Sequence, residues 1–92
     1  MYERDIEKKV KAYARLKGLL AYKFTSPGHA FVPDGIFVTP DGDVFFIEFK
    51  RLGLTPSPGQ LREIERIRGH KVFVHVVDSV AEGIKVIDAY CQ

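Results

Sequence analysis

The stretch VPDGIFVTPDGDVFFIEFK, residues 32–50, decides the fold. It carries Pro-Asp twice, at Pro33-Asp34 and Pro40-Asp41, and sets Glu48 and Lys50 into an otherwise apolar run. A three-residue hairpin loop at Pro40-Asp41-Gly42, with Gly42 in the left-handed backbone region, accounts for the second Pro-Asp as turn chemistry. That loop pairs Thr39 with Asp43, Val38 with Val44 and Ile36 with Phe46, and it places Asp34 opposite Glu48. Directly opposed residues share a sheet face, with Cβ atoms about 5 Å apart. Because side chains alternate along a strand, Lys50 joins the Glu48 face, while Phe45, Ile47 and Phe49 take the other. A single bulge would shift this register.

Working outward, apolar Ile6, Val10, Tyr13 and Ala14 fall at helical spacing over residues 3–17. Lys8, Lys9, Lys11 and Arg15 are available for the wet face, and Gly18 ends the run. Residues 19–24, LLAYKF, read as a strand, and the TSPGHA that follows is loop chemistry. Residues 34–39 and 43–50 form the hairpin strands. A second helix starts at SPGQ, with Ser57 as N-cap, Pro58 in the first turn and Gln60 completing a capping box; Leu61, Ile64 and Ile67 line one face, and Gly69 stops it. KVFVHVV, residues 71–77, is a β-branched strand. Ser79 and Glu82 form another capping box, opening a helix with Val80, Ile84, Ile87 and Cys91 inward. The predicted order is αβββαβα, with no repeat and no linker, so residues 1–92 are expected to form a single domain.

Composition narrows the function classes. At 46% hydrophobic and 28% charged, the chain reads as an ordinary soluble globular protein. No apolar run approaches membrane-spanning length, and MYERDIEKK is a charged helix start without a signal-peptide core. No membrane partner is therefore expected, and the expected location is cytoplasmic. The single cysteine, Cys91, leaves no internal disulfide framework and no Cys-rich zinc site. His29, His70 and His75 lack metal-ligand spacing and read as surface or loop residues. The formal charge of +2 does not by itself indicate a nucleic-acid partner.

Opposed carboxylates on a hairpin repel, and a divalent cation resolves that conflict. Oxygen donors without sulfur or imidazole suit Mg²⁺ or Mn²⁺ rather than zinc. A lysine beside such a site can orient a water or steady charge developing on a phosphate. Metal-assisted phosphodiester hydrolysis is the chemistry that Asp34, Glu48 and Lys50 fit best. Taken alone the pattern is short, and it could equally be a strand start beside a solvated Glu-Lys pair. Val44 and Phe46 on the Glu48 face weigh against that plainer account.

Pro33-Asp34, then Glu48-Phe49-Lys50, on a hairpin preceded by one helix and followed by another carrying Gln60, resemble the PD-(D/E)xK nuclease superfamily. Within it the closer match is the VRR-NUC family, the virus-type replication and repair nuclease domain. The resemblance runs over nearly the whole chain, through the helix-one glutamates, Gly18, YKFTSPG, FFIEFK and LTPSPGQLREIERIRG. It implies an α/β restriction-endonuclease-like core with a small mixed sheet flanked by helices.

The resemblance also implies roles. Asp34 and Glu48 would bind the catalytic metal together with the backbone carbonyl of Phe49, and Lys50 would position or activate the attacking water or stabilise the transition state. A helix-one glutamate completes such a site. Glu7 is favoured, standing three residues before Val10 and eleven before Gly18 as in archaeal Holliday-junction resolvases, with Glu3 the alternative. Gln60 would reach toward the lysine or the scissile phosphate, and its capping-box role is an equally good local explanation. Lys23 and Ser26 match a stretch that lies near DNA. Two positions depart from the family: it often has glycine two residues before the proline and arginine after the aspartate, where this chain has Phe31 and Gly35.

The expected activity is a Mg²⁺- or Mn²⁺-dependent DNA endonuclease, with no small-molecule cofactor. Cleavage by water would leave 5′-phosphate and 3′-hydroxyl ends on branched DNA such as Holliday junctions or flaps, in repair, recombination or replication. A homodimer would offer two sites to a branched substrate. Two rival readings are a catalytically inactive nucleic-acid-binding module of the same fold, which predicts salt-sensitive DNA retention without scission, and a structural α/β domain with neither property.

Overall fold

The computed structural model describes residues 1–91. It contains α1 (Glu3–Leu16), β1 (Leu20–Lys23), β2 (Gly35–Val38), β3 (Val44–Phe49), α2 (Pro58–Arg68), β4 (Phe73–Val77) and α3 (Val80–Ala89). This is the expected αβββαβα order, with each strand shorter by a residue or two than its sequence pattern. The four strands lie in the order β1-β2-β3-β4, antiparallel through β3 and parallel between β3 and β4. Among the described residues no helix is long and apolar enough to cross a membrane.

The hairpin forms in the expected register, with Ile36 opposite Phe46 and Val38 opposite Val44. Thr39 N–H donates to the Asp43 carbonyl at 2.9 Å, and Gly42 N–H donates to the Thr39 carbonyl at 3.0 Å. Gly42 sits at φ +92°, a conformation that a side chain would strain. The Thr39 hydroxyl accepts the Asp43 N–H at 2.9 Å, so the loop closes on both backbone and side chain.

The β3 alternation separates two surfaces. Phe45, Ile47 and Phe49 point to one face and bury with Phe37, Val77, Ile6, Val10 and Ile87, which brings α1 and α3 onto that side of the sheet. Burying each such side chain contributes about 1.5–3 kcal/mol. Helix α1 ends in a Schellman arrangement, with Leu19 N–H donating to the Ala14 carbonyl and Gly18 N–H to Arg15, each at 3.0 Å. That turn aims the chain into β1. Helix α2 lies over the edge strand β4, with Ile64 buried at 1% exposure on the face that also carries Val74 and Glu48.

Four side chains sit differently from expectation. Lys11, expected on the wet face of α1, is 7% exposed. Leu61 is exposed, because α2 lies over the edge strand and Ile64 is its buried residue. Cys91 is exposed beyond the end of α3, and Tyr90 takes the inward place, stacking on Phe45 with ring centroids 3.9 Å apart. His75 is half-buried in β4 rather than on the surface, with its Nε2 2.8 Å from the Tyr90 hydroxyl. Burial, and secondarily the Arg68 charge, lowers the His75 pKa.

Candidate active site

Where β2 and β3 separate, backbone pairing gives way to side chains. The ladder ends at Gly35 opposite Ile47, and one residue further Asp34 faces Glu48. Asp34 Oδ2 accepts the Phe49 N–H at 2.8 Å, so its carboxylate takes over from a strand carbonyl. Its own carbonyl accepts the Phe24 N–H at 2.8 Å, which ties the same residue to the end of β1. Buried Pro33 stiffens the approach. Asp34 is thus fixed from both neighbouring strands.

Glu48 is 2% exposed on the α2 side of β3. Its Oε2 accepts a hydrogen bond from Gln60 Nε2 at 2.8 Å and lies 3.5 Å from Lys50 Nζ. Burial, and then the negative charge of Asp34, push the Glu48 pKa up to about 7, against the opposing pull of Lys50. Burial also raises the Asp34 pKa; the Phe49 amide counters that rise, and the charge of Glu7 adds to it. Two carboxyl groups and an ammonium therefore meet on one patch, in mutual electrostatic conflict.

Gln60 caps its helix as one of its two expected roles, and its second contact differs from the expected one. Its Oε1 accepts the Ser57 N–H at 2.9 Å while Ser57 Oγ accepts the Gln60 N–H at 3.2 Å, completing the capping box. The other end of the same amide reaches Glu48 rather than Lys50. In α3 only the serine half of the expected box forms, with Glu82 N–H donating to Ser79 Oγ at 3.1 Å.

Glu7 is half-buried, and its Oε2 pairs with Lys11 Nζ one turn along α1. Its charge is felt at Asp34. Among the described residues no three His, Cys, Asp or Glu side chains gather into a metal-sized group. Glu3 lines a surface hollow with Tyr2, Arg4 and Arg51. Lys23 is exposed at the end of β1, and its charge reaches Asp34. The Ser26 carbonyl accepts the His29 N–H at 3.1 Å in a turn.

Lys11 is the residue that sequence reasoning missed. Its stem crosses the sheet at Gly35, where an added Cβ would stand 3.2 Å from Lys11 Cε and 3.1 Å from the Phe37 ring. The signal was present in two parts: a glycine directly after Asp34, and a Glu-Lys pair four residues apart on α1.

No family model matches the chain. A protein of Acyrthosiphon pisum secondary endosymbiont phage 1, named "Putative nuclease p44", is 45% identical over 74 residues, spanning 78% of this chain and 80% of that protein. A solved structure described as a VRR_NUC domain is 34% identical, with a TM-score of 0.88 and coverage of 96% of both chains. The fold is thus a mixed α/β core of the PD-(D/E)xK type, four strands flanked by helices. Within that class, the chain belongs to the VRR-NUC nuclease-domain family.

Proposed function

We propose that this domain is a Mg²⁺- or Mn²⁺-dependent endonuclease that hydrolyses phosphodiester bonds in branched DNA, such as Holliday junctions or flaps, during repair, recombination or replication. One observation carries the reading: two carboxyl groups face each other beside a lysine, and Glu48 is driven to a pKa of about 7 by burial and by Asp34. A dication relieves that conflict. The donor set consists of oxygens, and both Gln60 and Lys50 address Oε2 of Glu48, so neither contact engages Oε1.

Asp34, Glu48 and the Phe49 carbonyl would hold the ion, with Glu7 completing the set once it leaves Lys11. When bound, such an ion supplies Lewis-acid polarisation of the phosphate and a lowered pKa for a coordinated water. The chain's own groups do the positioning. The Phe49 amide fixes one oxygen of Asp34, and Gln60 fixes one oxygen of Glu48. The Lys50 ammonium, 3.5 Å from Glu48, is placed to donate a hydrogen bond to the attacking water or to a phosphate oxygen as charge accumulates. Water adds to phosphorus and the bond to the 3′ oxygen breaks, leaving a 5′-phosphate and a 3′-hydroxyl. Lys23, at the end of β1, and Ser26, in the segment between β1 and β2, are the proposed phosphate contacts. A homodimer would bring two such sites to one junction.

A cleavage assay tests this on labelled duplex, flap, splayed-arm and four-way-junction DNA with Mg²⁺, Mn²⁺ or EDTA. Scission is expected with either ion, none with EDTA, and a preference for the branched forms. DNA retention without scission under every condition would identify a binding module instead. Sedimentation showing only monomer alongside intact junction cleavage would remove the dimer from the proposal.

A further inference from the structure

Phe31 lies three residues before Asp34, in the loop between β1 and β2. Its backbone stands at φ +69°, a region that bulky residues rarely occupy. The ring lies against Gly59 in the first turn of α2, so close that a Cβ built there would be 2.8 Å from two ring carbons. The same loop is pinned to α2 a second time, through His29 Nε2 and Glu63 Oε1 at 2.9 Å. Both pins hold the loop against the helix whose next residue, Gln60, grips Glu48. The ring is therefore placed in relation to the carboxylates.

What the ring gains from this placement is small by the standards of folding. It remains 54% exposed, although its backbone is strained and α2 gives up a side chain to admit it. A phenylalanine serving stability alone would bury itself, and a residue serving the turn alone would be glycine. Leu52 and Leu54, just beyond Lys50, are also exposed, so apolar groups follow the site in sequence on its other side. Strained, exposed aromatics held on a firm base beside a reactive centre are suited to contact a ligand. Nucleobases present flat apolar faces that stack on such rings whatever their sequence, once they are released from duplex stacking.

We propose that Phe31 is a stacking platform for an unpaired or unstacked base of the DNA next to the scissile bond, so that it favours substrates in which the duplex is interrupted. This rests on the nuclease reading above and adds to it a specificity-determining residue. A continuous duplex offers the ring no free base face along its length, whereas the unpaired strands of a splayed arm offer several.

The chain contains no tryptophan, so Phe31→Trp introduces a unique fluorophore at the point in question. In an Asp34→Ala background that silences cleavage, the variant is titrated with a splayed-arm DNA and with a fully paired duplex of equal length. Indole emission is expected to be quenched on binding the splayed arm and nearly unchanged on binding the duplex. Cleavage by Phe31→Gly, which relieves the backbone, is expected to lose roughly tenfold in its splayed-arm to duplex ratio, with Phe31→Tyr restoring it. Binding of both DNAs without a difference in emission, or a wild-type ratio for Phe31→Gly, would overturn the platform and leave the nuclease standing. Failure to bind either DNA would overturn both. If the indole disturbs the loop, the Phe31→Gly and Phe31→Tyr ratios decide by themselves.

Discussion

Strand β3 presents Phe45, Ile47 and Phe49 to α1 and α3, and one residue out of step it presents Phe46 and Glu48 to the side of α2. The first surface is closed, its phenylalanines at 1% exposure or less. The second is only partly covered, because α2 lies over β4 and reaches toward β3 through the Gln60 side chain, and Asp34, Glu48, Lys50 and Gln60 meet there. One side of a six-residue strand is thus committed to stability, and the other keeps a carboxylate buried at an electrostatic cost. Substitutions should sort by which side they strike.

The largest contrast is expected at Lys50 and Asp34. Lys50→Ala or Asp34→Ala should lower cleavage by about 10³-fold or more, since each acts on the transition state or its metal. The melting temperature of Lys50→Ala should move little below pH 7, because the buried Glu48 left without its partner takes up a proton. The reverse holds across the strand. Phe49→Ala, directly beside Lys50 yet with its ring in the core, should cost about 3–5 kcal/mol in urea unfolding by leaving a cavity.

A third prediction concerns pH in metal-free protein. Because the folded-state pKa of Glu48 is raised from 4.5 to about 7, the folded form holds a proton that the unfolded chain releases. Stability should therefore fall as pH rises through that window and level off above it, and the raised Asp34 pKa acts in the same direction. Thermal melts in EDTA should show this slope, Glu48→Gln should flatten it, and an unchanged slope would contradict the electrostatic account. The smallest effect separates the two ends of Gln60. Ser57→Ala should cost about 1 kcal/mol of cap and leave cleavage intact, whereas Gln60→Ala should lose a similar amount and slow cleavage as well.

The closed side was legible in sequence because its signals are local. The Pro-Asp-Gly loop sets the register, strand alternation assigns Phe45, Ile47 and Phe49 to one face, and Ser57 and Gly69 bound α2 as expected. The pairing of Asp34 with Glu48 followed from the same loop, so two carboxylates could be placed together from sequence. What escaped was set by contacts between distant elements. The burial of Lys11 depends on α1 crossing Gly35, the exposure of Leu61 on where α2 lands, and the inward turn of Tyr90 on stacking against Phe45. The double duty of Gln60 was similarly hidden, since a capping box describes one end of the amide and says nothing of the other.

The meeting of Lys11 with Gly35 couples two positions far apart in sequence. A Cβ directly after the aspartate would stand 3.2 Å from Lys11 Cε, so any side chain there crowds the Lys11 stem. Positions 11 and 35 are consequently one mechanical unit. A side chain at 35 would make the stem give way, and with it loosen the ammonium that pairs with Glu7.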